Sequence, residues 1–145
     1  MAKKNEWNEW SLALLRVVLG IIFLYHGYVK LFVPGGFKAT AGFMAIIFGV
    51  SPAAGAWLAL LVSAIEFVGG ALLILGLLTR WASVVLFIEM LVALFKVHLK
   101  QGFFIMPPAY GYEFVLLILA SLVVVAASGA GKWSVGSKFK NRQLQ

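Results

Sequence analysis

The sequence predicts an all-α membrane protein, a bundle of four transmembrane helices with a short interfacial or re-entrant helix between the first and the second. Hydrophobic residues make up 63% of the 145-residue chain and charged residues only 12%. A soluble domain needs far more charge to cover its surface. Four apolar runs also approach the roughly 20 residues that cross a bilayer as a helix. The length fits one domain, residues 1–145.

The apolar runs define the predicted helices. They cover residues 12–31, 56–78, 81–99 and 112–128. A fifth apolar stretch, 37–50, is too short to cross a bilayer and ends in the sequence GVSP, so we assign it to the interfacial or re-entrant helix. Because Arg16 interrupts the first run and no small-x-small cleavage site follows, this run is predicted to be a retained helix rather than a signal peptide.

The distribution of basic residues predicts the partner and the topology. The formal net charge is +7, but the basic residues flank apolar runs instead of forming a stripe with aromatics. The expected partner is therefore a lipid bilayer and not nucleic acid. The larger basic set should mark the cytoplasmic side, which would then hold both termini. That set is Lys3, Lys4, Arg80, Lys132, Lys138, Lys140 and Arg142, against Lys30, Lys38, Lys96 and Lys100 on the other side.

Three of the five acidic residues, Glu66, Glu89 and Glu113, fall in the predicted membrane segments. A charge at the bilayer centre is costly, so each needs a partner, a wet cavity or neutralisation. Glu66 lies roughly 15 Å along its helix, near the midplane. It belongs to a stripe of small residues that should face the bundle, and a lone acid at that depth is expected to be functional. The other members of the stripe are Ala56, Ala59, Ser63 and Gly70.

Several other polar residues are predicted to lie near Glu66 at the outer end of the bundle. The candidate proton-handling residues are Glu66, His26 and His98. Together with further residues they would line one outward-opening polar cavity that binds a small ligand. Each also has a structural explanation, since histidines bond carbonyls at helix ends and lysines anchor at the interface. The remaining candidate ligand-binding residues are Lys30, Tyr112 and Glu113.

Arg16 and Glu89 both fall in the inner half and are predicted to form a structural ion pair. Glu89 also raises a problem of phase, because it precedes His98 by nine positions, about half a turn out of step on a regular helix. The two side chains cannot then face one axis. Either the third helix bends, or Glu89 faces a flanking helix or a second subunit, which leaves a homo-oligomer open.

The chain resembles the DoxX family of small bacterial membrane proteins. The matching stretches run from about residue 15 to 134 and include LRVVLGIIFLYHGYVKLF, GVSP, EFVGGALLILGLLTRWA, VH with GFF after it, YEF and GAGKWS. The resemblance implies a four-helix fold in the bacterial inner membrane, and kinship with the small membrane subunit of thiosulfate:quinone oxidoreductases. Ser134 is followed by Val135, whereas members often have an Asp shortly after this point. The family motif maps onto His26, Lys30, Glu66, Arg80, His98 and Glu113.

Three functions follow as hypotheses. The first is a membrane component of a quinone- or quinol-linked oxidoreductase, in which His and a buried Glu bind the headgroup and exchange protons. No covalently bound cofactor is expected and the chain has no cysteine, so a partner subunit would supply the redox centre, and whether the chain is an enzyme stays open. The second is a non-enzymatic docking or stabilising module, or a small-solute carrier. The third, least favoured, is a metal or haem site on His26 and His98, which lack a ligand-spaced motif, and no metal is predicted.

Overall fold

The computed structural model describes residues 2–138, with side chains described from residue 6 onward. Lys3, Lys4, Lys140 and Arg142, which contributed to the predicted topology, lie outside the described side chains. The α-helices of the described chain are α1 (Ala2–Phe32), α2 (Gly36–Phe48), α3 (Pro52–Leu75), α4 (Thr79–Ala93) and α5 (Glu113–Ser128). The remaining elements are a π-helical turn (Leu94–His98), 3-10 turns (Leu99–Gln101 and Gly136–Lys138) and an antiparallel pair, β1 (Ile105–Met106) with β2 (Ala109–Tyr110).

Local sequence signals set the ends of α3. The Ser51 side chain accepts a hydrogen bond from the Ala54 backbone N–H at 3.3 Å. Pro52 occupies the first turn, where a backbone N–H has no partner within the helix, so the N–H that proline lacks is not missed. This cap starts the helix before the predicted residue 56. Gly76 ends it with φ 68, a left-handed conformation that favours glycine, so α3 stops short of the predicted residue 78.

Four helices share one core, and α2 lies outside it. α2 contributes no buried residue and packs on α3 and α1. A helix is therefore present between the first two long helices, as predicted, and it packs on the outside of the bundle. The core residues come from α1 (Leu19, Phe23), α3 (Leu73), α4 (Ala82, Leu86) and α5 (Ile118, Leu122, Val125).

The closest helix contact joins α1 to α3 through glycines. A Cβ added at Gly27 would lie 2.4 Å from the Phe67 backbone nitrogen, and one at Gly70 would lie 2.4 Å from that of Leu24. Such contacts let two backbones approach closely without intervening side chains. The predicted small-residue stripe faces this contact, and its burial is confirmed at Ala59, Ser63, Glu66 and Gly70.

Gly27→Ala should destabilise the protein by about 1–3 kcal/mol, because the new methyl forces α1 away from α3. Thermal unfolding in detergent measures the effect. Gly42→Ala is the matched control, since a Cβ there meets nothing within 4 Å and Ala is the better helix former. Its unfolding temperature should be unchanged or raised. Equal unfolding temperatures for the two variants would contradict the tight α1–α3 contact.

The outer surface of the bundle is apolar. Large side chains such as Ile21, Leu61, Ile88 and Leu117 are more than half exposed. A soluble monomer rarely shows so much contiguous apolar surface, whereas lipid-facing helices require it. In the described part of the chain, three helical stretches are long and apolar enough to cross a membrane, and α2 and α5 are shorter apolar helices. The three stretches are Glu6–Phe32, Pro52–Leu75 and Thr79–Gln101.

Arg16 binds the carboxyl end of α3. Its guanidinium donates to the backbone carbonyls of Leu73, Ile74 (3.0 Å) and Trp133 (2.7 Å), and the residue is 1% exposed. The last carbonyls of a helix lack intrahelical donors and carry partial negative charge, so they suit a cation. The predicted Arg16–Glu89 ion pair is therefore wrong, because these carbonyls take the guanidinium.

The segment after α5 folds back over the first residues of α1 and the carboxyl end of α3. We call this part of the bundle, including the segment, the terminal end (residues 6–16, 73–79 and 129–138). Trp133 stacks on Trp10 with ring centroids 4.3 Å apart. The Lys132 backbone N–H donates to the Glu9 carboxylate at 2.8 Å, and that of Val135 donates to the Leu75 carbonyl at 2.9 Å. The GAGKWS sequence thus closes the ends of α1 and α3.

Candidate functional site

A cavity of about 720 Å³ lies between α3 and α4. Side chains of α1, α2 and α5 complete its walls, which are mainly apolar. The volume is in the range of small-molecule sites, which combine apolar walls with a few convergent polar groups. A polar cavity was predicted, whereas this cavity is mainly apolar and has only a few polar side chains in its lining. Its apolar lining includes Phe43, Ile47, Leu58, Val62, Val85 and Ile118.

An ion pair joins α1 to α3 at this cavity. The Lys30 ammonium lies 2.6 Å from Glu66 Oε1 and 2.5 Å from Oε2, so it contacts both carboxylate oxygens. The Glu66 side chain is 7% exposed and that of Lys30 is 23% exposed. The close glycine contact between α1 and α3 brings the two side chains into reach. Two of the predicted ligand-binding residues are therefore adjacent.

Glu89, on α4, is the cavity residue whose position was predicted wrongly. Its side chain lines the same cavity as Lys30 and Glu66, whereas Arg16, its predicted partner, is not part of the lining. Glu89 Oε2 is buried and has no hydrogen-bond partner among the described residues. The cluster of Lys30, Glu66 and Glu89, here called the charged cluster, therefore holds two carboxyl groups and one ammonium.

A change of helix type brings Glu89 and His98 to the same cavity. On a regular α-helix they would face opposite sides, but residues Leu94–His98 form a π-helical turn. Its wider i→i+5 bonding rotates each residue by less than an α-helix does, and so it alters the phase of everything beyond it. The π-helical turn thus changes the direction in which the later side chains of the third predicted helix point. As a result, Glu89 and His98 line one cavity.

His98 is held by β2. Its Nδ1 lies 2.8 Å from the Tyr110 carbonyl oxygen, and an N–H donated there leaves Nε2 as an acceptor. Gln101 fixes the same strand by accepting from the Tyr110 N–H at 2.7 Å. His26, the other predicted histidine, also lines the cavity and is exposed on α1. The polar groups of the cavity therefore come from α1, α3 and α4, from the π-helical and 3-10 turns after α4, and from β2.

Lys96 connects α4 to α2 beside the cavity. Its ammonium lies 5.4 Å from the centroid of the Phe48 ring, which is cation–π distance. Both residues line the cavity and are exposed. The contact ties the π-helical turn to α2, the peripheral helix that forms one wall.

Glu113 and Tyr112 lie outside the cavity lining, contrary to their predicted place in the ligand site. Glu113 Oε1 accepts a hydrogen bond from the Ile105 N–H at 2.8 Å and so fixes the loop before α5. Tyr112 packs edge-on against Phe103 at 5.3 Å. Both residues lie at the start of α5, and their side chains contact the loop before it. They therefore support the cavity only through that loop.

Within residues 2–138, no group of three or more His, Cys, Asp or Glu side chains could hold a metal ion. His26 and His98 line the same cavity from α1 and from the π-helical turn.

The fold and the cavity define a small helical membrane protein with a partly buried charged cluster. The DoxX family profile matches residues 11–99. The chain belongs to the DoxX family, which confirms the family predicted from its motifs. No solved structure matches the chain.

Relatives extend the match over most of the chain. An uncharacterized protein of Haemophilus influenzae is 34% identical over 96% of this chain and 98% of its own length. A protein of Bacillus subtilis named "Putative oxidoreductase CatD" is 32% identical over 87% of this chain and 84% of its own. An uncharacterized membrane protein of Mycobacterium tuberculosis is 32% identical over 91% and 83%.

Proposed function

We propose that the protein is a membrane component of a quinone- or quinol-linked oxidoreductase, and that the cavity between α3 and α4 binds the quinone headgroup. The observation that carries this proposal is an apolar cavity of about 720 Å³ with the charged cluster in its wall. An intramembrane ionisable cluster beside a ligand-sized cavity favours a ligand over a purely structural role.

The side chains of the cavity match the needs of a quinone. Its carbonyls require hydrogen-bond donors, and its quinol form releases protons when it is oxidised. Lys30 can donate, the carboxyl groups can exchange protons, and His98 Nε2 can accept. The apolar tail would leave between α3 and α4, where Val85, Ile88 and Val92 are both exposed and part of the lining.

The electrons would pass to a partner subunit that carries the redox centre. The printed name of the Bacillus subtilis relative supports an oxidoreductase assignment at this level. The chain itself would supply binding and proton exchange.

The proposed setting is the inner membrane of a bacterium, with α5 as a fourth span and both termini cytoplasmic. The 16 residues of α5 extend about 24 Å, less than the roughly 30 Å hydrocarbon core, so the bilayer must thin locally or the helix must end at its boundary. α2 would lie at the outer interface, where Lys38 holds one end at the surface.

Reporter fusions test this topology. Fusions at Gln101 and Gln145 should report opposite sides of the membrane, because α5 lies between them. Labels at Lys38 and Ser51 should react from the same, outer side, because the 13 residues of α2 are too few to cross the bilayer. Gln101 and Gln145 on one side would exclude α5 as a span.

Quinone binding tests the function. The lipid extract of the purified protein should contain quinone, and the protein in lipid nanodiscs should bind a short-chain quinone. Glu66→Gln should weaken that binding at least about tenfold, or 1.4 kcal/mol, because Gln cannot form the Lys30 ion pair. Glu113→Gln is the matched control, since Glu113 lies outside the cavity lining.

The other outcomes separate the competing functions. A Soret band in the absorption spectrum would overturn the proposal in favour of haem. Neither a Soret band nor quinone, with normal stability, would favour the docking module. Equal quinone binding by Glu66→Gln and Glu113→Gln would show that the charged cluster does not contribute to the binding site.

A further inference from the structure

We propose that the charged cluster is a proton-binding site that holds one exchangeable proton, and that Glu89 is the residue that brings it. This inference rests on the proposed function, because the proton would be the one exchanged with the ligand. Glu89 was expected to be a structural residue, and the geometry moves it into the cavity.

The charged cluster holds more carboxyl groups than cations. The Lys30 ammonium contacts both oxygens of Glu66, at 2.6 and 2.5 Å, so one cation is matched to one carboxylate. Glu89 adds a second carboxyl to the same cavity, and its Oε2 is buried with no partner within the described chain. Two carboxylates matched by the one Lys30 cation leave a net negative charge. Such a charge is expensive in an apolar cavity, and one bound proton removes it.

Two other basic side chains of the cavity are engaged elsewhere. Lys96 is directed to the Phe48 ring, and the Nδ1 of His98 is bonded to the Tyr110 carbonyl. Within residues 2–138, α2 and α5 contribute only apolar and aromatic side chains to the lining. The titratable groups that line the cavity beside Glu89 are His26 and Lys30 of α1, Glu66 of α3, Lys96 and His98 of the π-helical turn, and Tyr110 of β2.

Glu89 also shares its cavity with His98. The π-helical turn places the Glu89 carboxyl and the His98 imidazole on the same cavity, although they lie on one continuous helical segment. An acid and an imidazole facing one space can each exchange a proton with a bound group. In this arrangement the Lys30–Glu66 ion pair keeps its charges, and Glu89 is the residue that gains and loses the proton.

Infrared spectroscopy of the full chain in lipid nanodiscs tests the proposal, because a protonated carboxyl gives a carbonyl band that a carboxylate lacks. The wild type without quinone should show such a band, it should shift in heavy water, and it should disappear as pH rises. Glu89→Gln should lose it, since Glu66 then remains alone with Lys30. Lys30→Met should enlarge it, since both carboxyls then lack a cation.

Glu113→Gln controls for the remaining intramembrane acid and should keep the band. No band in the wild type at any pH, or an unchanged band in Glu89→Gln, would overturn the proposal. Gel filtration and thermal unfolding check that each variant is folded. The two proposals fail separately: a normal band without quinone binding would sink only the proposed function. Quinone binding without the band would sink only the proton site.

Discussion

Arg16→Met should destabilise the protein by about 3 kcal/mol or more and release the segment after α5 from the ends of α1 and α3. Methionine replaces the aliphatic part of the side chain but donates no hydrogen bond. The carbonyls of Leu73, Ile74 and Trp133 would lose their buried charged donor, and an unsatisfied buried acceptor costs roughly 1–3 kcal/mol. The Trp10–Trp133 stack depends on the same docking.

Thermal unfolding in detergent and limited trypsin digestion measure the two effects. In Arg16→Met, trypsin should cut at Lys132 faster than in the wild type, because that residue is no longer held by Glu9. Arg80→Met is the control, since Arg80 is exposed on the first turn of α4. Arg16→Lys should fall between the two, because one ammonium can reach fewer carbonyls than a guanidinium fork. Matching behaviour of Arg16→Met and Arg80→Met would exclude this role.

Hydrophobic run length was sufficient to predict every α-helix and its order. The small-residue stripe was sufficient to predict that Glu66 points inward, because small residues mark close helix contacts whatever their partner. The helix ends were less accurate, since Ser51 and Gly76 act through capping geometry. Run length does not report caps, so the predicted bounds of α3 were displaced toward the carboxyl end.

The partners of the buried charges could not be predicted. Depth along a helix grouped Arg16 with Glu89, but depth does not reveal that free carbonyls at the end of α3 lie nearer to the guanidinium. No Pro or other breaker marks the π-helical turn that re-phases His98. The one available signal was that Glu66 and Glu89 are two intramembrane acids with few basic residues at comparable depth, which favours a shared partner.

Lys30→Met should be the most damaging single change in the charged cluster. It leaves Glu66 and Glu89 in one cavity without the Lys30 cation, at a cost of about 2–3 kcal/mol. This is below the value for a fully buried pair, because the Lys30 side chain is 23% exposed. Glu66→Gln should cost less, since the Lys30 ammonium still shares its cavity with one acid, Glu89.

The double variant Lys30→Met/Glu66→Gln separates stability from function. It removes one charge of each sign, so its unfolding temperature should recover most of the loss seen in Lys30→Met, giving a coupling energy between the two positions. If the cluster binds the ligand, short-chain quinone binding should stay at least about tenfold weaker than in the wild type, despite the recovered stability. Recovery of both stability and binding would show that the ion pair only supports the fold. An additive loss of stability would show instead that Lys30 and Glu66 do not act as a pair.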